Sequence, residues 1–334
     1  MRSIKKILVA ISNKIFEERE KSFYANRLDL QGKSVSMVIE ALTQIGWECH
    51  QLNVDIPLPE LVLSISNQNT DFVYNLAVCS AGVYDQAFLP SLLDALNIPY
   101  LGSNSTIHSL CLDRVLTKLS LRGIGIPTIS SIQWSPGDSL PENLDFPYII
   151  KSRFRSYCQR VSPDSIVNDY DSLFIKAEQI YNQTGEKVLI EKFVEGREMI
   201  IGLWGNGNNP EVLPIMELNL TREKLIYDAE IESKKGYVED ISCPVKLSDE
   251  HKTMLENMAI KIFRELNLKD FATFHLIFDQ KENLPLFFEI NALPLLHYKH
   301  SAFPEMCSHQ GIDYYSMVQK LLQIALERVK QGHD

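Results

Sequence analysis

Two apolar runs stand close together in this chain, Phe271-Ala-Thr-Phe-His-Leu-Ile-Phe-Asp279 and Leu284-Pro-Leu-Phe-Phe-Glu-Ile-Asn291. Each is rich in aromatic and branched residues and has the length of a β-strand. Only Gln280-Lys-Glu-Asn283 separates them, and a polar segment of this kind suits a turn. The two runs therefore predict an antiparallel hairpin.

Polar side chains interrupt the second predicted strand near its end. Because successive side chains of a strand point to opposite faces, its residues divide into two sets. Leu286, Phe288 and Ile290 form one set, and Phe287, Glu289 and Asn291 form the other. A carboxylate and an amide on one face are the oxygen ligands that Mg²⁺ takes, although a solvated strand end is the simpler interpretation. Antiparallel pairing of the two strands could also place His275 opposite Glu289.

The length and composition are those of a globular protein with more than one domain. The 334 residues are 45% hydrophobic and 23% charged, enough for a sizeable core. The formal net charge of −10 argues against nucleic acid or an anionic membrane as a partner. Six scattered cysteines without a Cys-x-x-Cys pair predict reduced thiols in a cytoplasmic protein. No apolar stretch has the length of a signal-peptide core or a membrane span.

The N-terminal part of the chain has the order of a small doubly wound α/β domain. Ile7-Leu-Val-Ala-Ile11 is apolar on both faces and predicts a buried parallel strand. A helix over residues 34–45, strands over 48–54 and 72–76, and a helix over 89–96 follow it. No glycine-rich phosphate turn follows the first strand, which excludes a dinucleotide-binding Rossmann domain.

Three segments around and after the second predicted strand resemble a known family. They are Phe288-Glu-Ile-Asn-Ala-Leu-Pro294, His300-Ser-Ala-Phe-Pro304 and Gly311-Ile-Asp-Tyr-Tyr-Ser-Met-Val-Gln-Lys-Leu321. In order and spacing they resemble the C-terminal part of the D-alanine–D-alanine ligase family, within the ATP-grasp superfamily. The resemblance implies an α/β ATP-grasp fold with ATP between its last two parts. These parts are an N-terminal doubly wound α/β domain over residues 1–101, linker helices and a small central subdomain over 102–188, and a C-terminal α+β subdomain over 189–334.

The resemblance also implies a set of nucleotide-binding residues, Arg114, Lys151, Glu191, Lys192, Val194 and Glu198. Arg114 and Lys151 would contact phosphates, the backbone of residues 191–194 would recognise adenine, and Glu198 would take the ribose hydroxyls. The family usually has a lysine at the position of Arg114, and a helix-surface arginine is the alternative. For Glu191 and Glu198 the alternative is a solvated strand edge. A lysine that ends a buried strand, as Lys151 does, usually has a partner, and an ATP phosphate suits it.

The candidate metal and catalytic residues lie on and after the predicted hairpin. The resemblance assigns Glu289 and Asn291 to the magnesium ions on ATP, and Ser301 to the substrate carboxylate. Thr273 stands where the ligases have an arginine that steadies the tetrahedral intermediate, and His275 stands where they have a metal-binding aspartate. Imidazole is a poor magnesium ligand and suits manganese or zinc better. His275 is therefore either a catalytic base or unusual ligand, or a satisfied core histidine.

Two loops near the predicted phosphates depart from the family. Ser152-Arg-Phe-Arg-Ser-Tyr-Cys-Gln-Arg160 replaces a loop rich in glycine and serine whose backbone folds over the phosphates. The arginines of this segment, Arg153, Arg155 and Arg160, could contact an anion only through their side chains. The alternative is a segment that no longer closes on a nucleotide. Residues 223–236 resemble the mobile loop that covers the site, without the lysine and tyrosine that the family has there. A disordered loop is the alternative for that segment.

These observations predict an ATP-dependent carboxylate–amine ligase that acts through an acyl phosphate. Its substrate would be an amino acid or peptide, its cofactors ATP and Mg²⁺ or Mn²⁺, and its product a specialised one and not cell-wall D-Ala-D-Ala. Two alternatives stay open: a noncatalytic paralogue that binds nucleotide or an anion as a regulatory partner, and an enzyme that phosphorylates without ligation. No nucleic-acid or membrane partner is expected, and the resemblance is compatible with a homodimer.

Overall fold

The computed structural model describes residues 6–12, 21–78, 85–154, 163–208, 210–219 and 241–332. In this part of the chain helices flank three β-sheets, which confirms the predicted α/β class. The strands are β1 (Lys6–Ile11), β2 (Glu48–Asn53), β3 (Phe72–Asn75), β4 (Ser131–Trp134), β5 (Tyr148–Ser152), β6 (Ile166–Val167), β7 (Val188–Lys192), β8 (Arg197–Trp204), β9 (Glu211–Val212), β10 (Met216–Leu218), β11 (Ile241–Ser242), β12 (Phe271–Asp279) and β13 (Leu284–Asn291). The helices are α1 (Lys21–Gln44), α2 (Leu58–Asn67), α3 (Asp85–Ala95), α4 (Ser105–Leu112), α5 (Arg114–Gly123), α6 (Tyr170–Thr184), α7 (Asp249–Glu265), α8 (Ala302–His309) and α9 (Tyr314–Gln331).

The N-terminal sheet is parallel, with the strand order β2-β1-β3. Its central strand β1 is almost wholly buried, as its uninterrupted apolar sequence predicts. Helix α1 covers one face, and α2 and α3 cover the other. Helix α1 begins at Lys21, well before the predicted start at Ser34. Sequence patterning did not reveal α2, whose prolines at positions 57 and 59 suit the first turn of a helix.

The central sheet is antiparallel, with the strand order β4-β7-β5-β6, and α6 packs against it. Asp169 begins α6 by accepting a hydrogen bond from the Ser172 N–H at 2.7 Å. The register of β5 and β7 places Lys151 opposite Leu189. Because residues two apart on a strand share a face, Lys151 is a diagonal neighbour of Glu191 on the same face of this sheet.

The largest sheet has the strand order β11-β10-β8-β12-β13, with β9 paired to β8. Its hairpin strands β12 and β13 have the bounds that the sequence predicts. One face of the sheet packs against α4, α5 and α7, and the other packs against α1, α8 and α9. No helix within the described residues combines the length and the apolar character that crossing a bilayer requires.

A β-bulge in β13 corrects the predicted division of its side chains. His275 pairs with Glu289 as predicted, but the next pair along the ladder contains Phe287 and skips Phe288. The extra residue shifts the alternation, so Phe287 packs in the same apolar cluster as Ile290. The ring of Phe288 turns toward His275, with 6.2 Å between the two ring centroids. The prediction that Phe287 shares a face with Glu289 is therefore wrong.

A buried ion pair links the last helix to the start of β12. The Arg328 guanidinium donates to both carboxylate oxygens of Asp270, at 2.9 and 3.1 Å, and to the Tyr100 carbonyl oxygen at 2.7 Å. Asp270 also accepts hydrogen bonds from the Gly102 N–H at 2.7 Å and from the Asn206 amide at 2.9 Å. These contacts fix the first residue before β12 against the segment that leaves the N-terminal sheet.

Candidate functional site

Two lysines and a glutamate form a buried ion triad between the central sheet and α5. Glu191 is fully buried; its Oε1 lies 2.6 Å from Nζ of Lys118, and its Oε2 lies 2.8 Å from Nζ of Lys151. The side chain of Lys118 is 2% exposed, whereas that of Lys151 is 12% exposed. Lys151 is therefore the member of the triad that a ligand can reach. The solvated-edge alternative for Glu191 is wrong, because the carboxylate lies inside the protein.

The triad keeps Glu191 ionised. Burial by itself raises the pKa of the Glu191 carboxyl, but the Lys118 and Lys151 ammonium groups outweigh it and lower this pKa to about 2. Burial lowers the pKa of Lys118, and the Glu191 carboxylate offsets part of that effect. Two ammonium groups and one carboxylate leave the triad with a net positive charge. That charge suits an anionic ligand at Lys151.

Further polar groups lie on the adjoining face of the largest sheet. The ladder of β8, β12 and β13 arranges them in rows, with Glu198 beside Ile277, Glu289 beside His275, and Asn291 beside Thr273. Burial raises the pKa of the Glu198 carboxyl, Lys151 lowers it and Glu289 raises it, with a resulting pKa of about 7. Glu198 thus interacts electrostatically with Lys151, the more accessible lysine of the triad, and with Glu289, the predicted metal ligand.

His275 lies on this polar face and not in the core. Its Nε2 is 3.9 Å from Oε1 of Glu289, and its side chain is 20% exposed. The interpretation as a core histidine is therefore wrong, while the roles of catalytic base and of ligand stay predictions. Thr273, in contrast, is buried next to Asn291. Its neutral hydroxyl places no charge at this position.

Glu289 and Asn291 fit a magnesium ion that is also bound by a nucleotide. Both present oxygen atoms at one end of β13, and Oδ1 of Asn291 accepts a hydrogen bond from the Leu293 N–H at 3.2 Å. An amide oxygen has a second lone pair for a metal ion. Across the described residues, no group of three or more His, Cys, Asp or Glu side chains could hold a metal ion. Mg²⁺ commonly takes only one or two protein carboxylates and completes its shell with phosphates and water.

Two arginines hold the chain where the central sheet meets the linker helix. Nη1 of Arg114 donates to the carbonyl oxygens of Ser152 and Phe154, at 2.8 and 3.0 Å. Arg153 donates from Nε and Nη2 to one carboxylate oxygen of Asp113, at 3.0 and 2.7 Å. Arg114 is half-buried, so the helix-surface alternative is wrong. Its contact with phosphates stays a prediction.

The predicted adenine edge follows directly after Glu191. The Lys192 side chain points to the opposite side of the strand, where its ammonium lies 2.8 Å from a carboxylate oxygen of Asp145. The Lys192 N–H donates to the Ser130 carbonyl oxygen at 3.1 Å. Val194 lies just beyond the end of β7 and is half-buried. Adenine recognition by the backbone of Lys192 and Val194 stays a prediction.

Ser301 fastens the loop that follows β13. Its Oγ accepts a hydrogen bond from the His297 N–H at 3.2 Å, and only 2% of Ser301 is exposed. Contact between Ser301 and a substrate carboxylate stays a prediction.

The contacts predicted for Arg155, Arg160 and residues 223–236 fall outside the described residues.

A profile of the family described as D-ala D-ala ligase C-terminus matches residues 138–323 of this chain, more than half of its length. The chain belongs to this family. An uncharacterised protein of Sinorhizobium fredii is 27% identical to it over 304 residues, which are 89% of each chain. A D-alanine–D-alanine ligase of Aquifex aeolicus is 30% identical over 290 residues, which cover 86% of this chain and 92% of that protein. The resemblance predicted from the sequence is confirmed.

A solved structure of a D-alanine–D-alanine ligase matches the fold over nearly the full length of this chain. The crystal structure of D-alanine–D-alanine ligase from Bacillus anthracis complexed with ATP matches this structure with a TM-score of 0.75. The match covers 98% of this chain and 99% of that one at 20% identity. This likeness confirms the predicted ATP-grasp fold.

Two residues of the site in this family member were not predicted, Lys118 and Phe288. Lys118 lies three residues before the buried Leu121 on the amphipathic α5, so the helical period places it on the buried face. A lysine in such a position needs a partner and is a usable signal. The bulge that brings the Phe288 ring 5.5 Å from the Lys151 ammonium leaves no sign in the strand alternation.

Proposed function

We propose that this member of the D-Ala-D-Ala ligase family is an ATP-dependent carboxylate–amine ligase. The carboxylate of an amino acid or peptide attacks the γ-phosphorus of ATP and releases ADP. The amino group of a second substrate then displaces phosphate from the acyl phosphate and forms a C–N bond. Lys151, Glu198 and Glu289 carry the proposal: Lys151 and Glu289 both act electrostatically on the Glu198 carboxyl, so a cation for phosphates lies near two carboxylates. Family membership supports the reaction class.

Each residue has a separate task in this reaction. Lys151 contacts the phosphates, and the net positive triad behind it favours their negative charge. Glu198 accepts hydrogen bonds from the ribose hydroxyls. Glu289 and Asn291 would hold Mg²⁺, which supplies neutralising charge to the phosphates when bound.

The substrate is proposed to be a specialised one. A developing oxyanion is stabilised by donors or positive charge aimed at it, and the loss of one such donor typically raises the barrier by about 3 kcal/mol. Thr273 has a hydroxyl where the resembled ligases have an arginine. We therefore propose a dipeptide or related natural product and not cell-wall D-Ala-D-Ala, with Ser301 as the candidate for the substrate carboxylate. Because His275 adds a nitrogen ligand near Glu289, Mn²⁺ is the second candidate metal.

A noncatalytic nucleotide-binding partner is the second candidate function. Thr273 and His275 favour it, because neither side chain supplies the guanidinium or the carboxylate that the resemblance leads one to expect there. Under this alternative the triad still binds a nucleotide or another anion, but no bond is formed. Phosphorylation of a substrate without ligation is distinguished from both by its product.

Calorimetric titration with a nonhydrolysable ATP analogue, in Mg²⁺, in Mn²⁺ and in a chelator, tests nucleotide binding. We expect metal-dependent binding in the micromolar range, about −8 kcal/mol, which Glu289→Ala removes. Glu256→Ala is the matched control, because that carboxylate lies on α7 and pairs only loosely with Lys252 at 3.8 Å. Absence of binding with every metal would overturn the ATP-dependent proposal.

Turnover over a panel of amino acids tests the reaction. Release of phosphate together with a joined product in mass spectrometry supports the ligase, and a phosphorylated substrate alone supports the kinase-like alternative. The double variant Thr273→Arg/His275→Asp addresses the noncatalytic alternative. Phosphate release that only this variant shows would support the noncatalytic partner, and loss of an existing wild-type turnover would refute it.

We further propose a cytoplasmic homodimer that acts on small molecules and has no nucleic-acid or membrane partner. The acidic composition and the scattered cysteines support this setting. The family resemblance supports the dimer. Light scattering of the purified chain measures the assembly, and a monomer at every concentration would contradict the homodimer.

A further inference from the structure

We propose that Lys118 is a positioning residue that keeps the charge of Lys151 available to the phosphates of the nucleotide. It does so by neutralising Glu191, the carboxylate that would otherwise cancel that charge. The inference rests on the proposed function for the identity of the anionic ligand. It adds to that function a residue that does not itself reach the ligand.

Lys118 and Lys151 each contact one oxygen of the Glu191 carboxylate. Lys118 lies 2.6 Å from Oε1 of Glu191, and Lys151 lies 2.8 Å from Oε2. The shorter contact belongs to the more deeply buried lysine, since Lys118 is 2% exposed and Lys151 is 12% exposed. Attraction between charges is strongest where water is excluded. Lys118 therefore offsets negative charge of Glu191 that Lys151 would otherwise face alone.

Lys118 also contacts the strand that bears the predicted metal ligands. Its Nζ lies 3.4 Å from the carbonyl oxygen of Phe288, the bulged residue of β13. The Lys151 ammonium lies 5.5 Å from the centre of the Phe288 ring. An ammonium has three donors, so one group can bind both the Glu191 carboxylate and this carbonyl. Lys118 thus spans the two sheets between which the nucleotide is proposed to bind.

Removal of the Lys118 charge changes what Lys151 presents to a ligand. In Lys118→Met the Glu191 carboxylate remains buried and pairs with Lys151 alone, which makes the remaining pair electrically neutral. A neutral pair attracts a polyphosphate less than the intact, net positive triad does. If Glu191 is also replaced by the neutral Gln, Lys151 regains the charge that the Glu191 carboxylate had cancelled. A loss of affinity in the first variant should therefore be reversed in the second.

A double-variant cycle measures this coupling. Wild type, Lys118→Met, Glu191→Gln and the double variant are titrated by calorimetry with a nonhydrolysable ATP analogue, inorganic tripolyphosphate and adenosine. We expect Lys118→Met to lower the affinity for the ATP analogue and for tripolyphosphate about tenfold. This is the effect of one charge-assisted hydrogen bond. Adenosine affinity should change less than about twofold, and in the Glu191→Gln background the polyphosphate loss should also fall below about twofold. Lys176→Met, which removes the ion pair that Lys176 of α6 makes with Asp164, is the control and should match the wild type.

Equal weakening of adenosine and the polyphosphates would indicate a merely structural role and overturn the inference. A loss that persists in the Glu191→Gln background would overturn it as well. Lys118→Gln keeps hydrogen-bond donors without the charge, is expected to behave like Lys118→Met, and replaces that variant if Lys118→Met does not fold.

Tripolyphosphate separates this inference from the proposed function, because its binding needs no adenine site. A chain that binds tripolyphosphate with the expected pattern but not the ATP analogue keeps the inference and refutes the ATP-dependent reaction. If the ATP analogue binds but Lys118→Met does not weaken polyphosphate binding as expected, the inference is refuted and the ATP-dependent reaction is kept. Failure of the wild type to bind either polyphosphate overturns both.

Discussion

Replacement of Arg328 by methionine should destabilise the chain through the carboxylate that it leaves behind. Asp270 is fully buried, and its carboxylate accepts two hydrogen bonds from the Arg328 guanidinium, at 2.9 and 3.1 Å. Removal of one partner of a buried ion pair typically costs about 3–5 kcal/mol, because an uncompensated charge remains. The Gly102 N–H and the Asn206 amide continue to donate to Asp270. We therefore expect the lower end of that range, about 3 kcal/mol in the free energy of unfolding.

The double variant Arg328→Met/Asp270→Asn identifies the source of this loss. It buries neither charge, so it should recover roughly half of the stability lost in Arg328→Met. Thermal and urea unfolding measure both, and about 3 kcal/mol corresponds to a Tm lower by roughly 4 °C in a chain of this size. Arg264→Met is the control, because Arg264 is exposed in the last turn of α7. A Tm for Arg328→Met equal to that of the control, or a double variant less stable than Arg328→Met, would refute the reasoning.

Three other regions give predictions that unfolding experiments can check. Burial lowers the pKa of His108 from 6.5 to about 4. The unfolded chain therefore binds this proton more tightly, and the free energy of unfolding should fall by about 3 kcal/mol as the pH drops from 6.5 to 4. Urea unfolding at the two pH values should show a smaller drop in His108→Met, and an equal drop would assign the effect to other groups. Gly196→Ala should lower stability by about 2 kcal/mol, because a Cβ there would lie 2.5 Å from the Phe278 carbonyl oxygen; an unchanged Tm would contradict that close approach. Asp113→Ala should lose the N-cap of α5 and the ion pair to Arg153, about 2 kcal/mol together. Asp113→Asn keeps a capping side chain and should lose less in the same thermal unfolding assay, so two equal losses would argue against the cap.

The hairpin is the part of the fold that follows most directly from the sequence. Aromatic and branched residues favour a pleated, half-buried surface, and a short polar segment between two such runs leaves few ways to join them. The observed strands β12 and β13 accordingly have their predicted bounds. The pairing of His275 with Glu289 was predicted as well, but the register of the turn by itself sets His275 opposite Phe288, and the β-bulge supplies the shift of one residue that brings Glu289 there.

The ion triad could not be predicted in the same way. Lys118 stands on a helix, and Lys151 and Glu191 stand on two strands that are distant in sequence. Helical periodicity indicates that Lys118 faces inward, but only the packing of α5 on the sheets decides which carboxylate it meets. The resemblance assigned Glu191 to the nucleotide, whereas both of its oxygens contact lysines in the folded chain. A family motif can therefore identify a residue of the site correctly and still leave its immediate partner unknown.

The β-bulge at Phe288 reconciles two demands that a regular strand could not meet together. Phe287 and Ile290 both pack in one apolar cluster, although residues three apart on a regular strand point to opposite faces. One inserted residue between them corrects the phase, and it leaves Glu289 on the polar face with the other candidate site residues. A bulged residue is also released from regular pairing, and the carbonyl oxygen of Phe288 accepts a contact from Lys118. The same inserted residue that completes the core thus turns Glu289, the predicted metal ligand, toward the site. It also gives Lys118, on which the phosphate site is proposed to depend, a backbone carbonyl to contact.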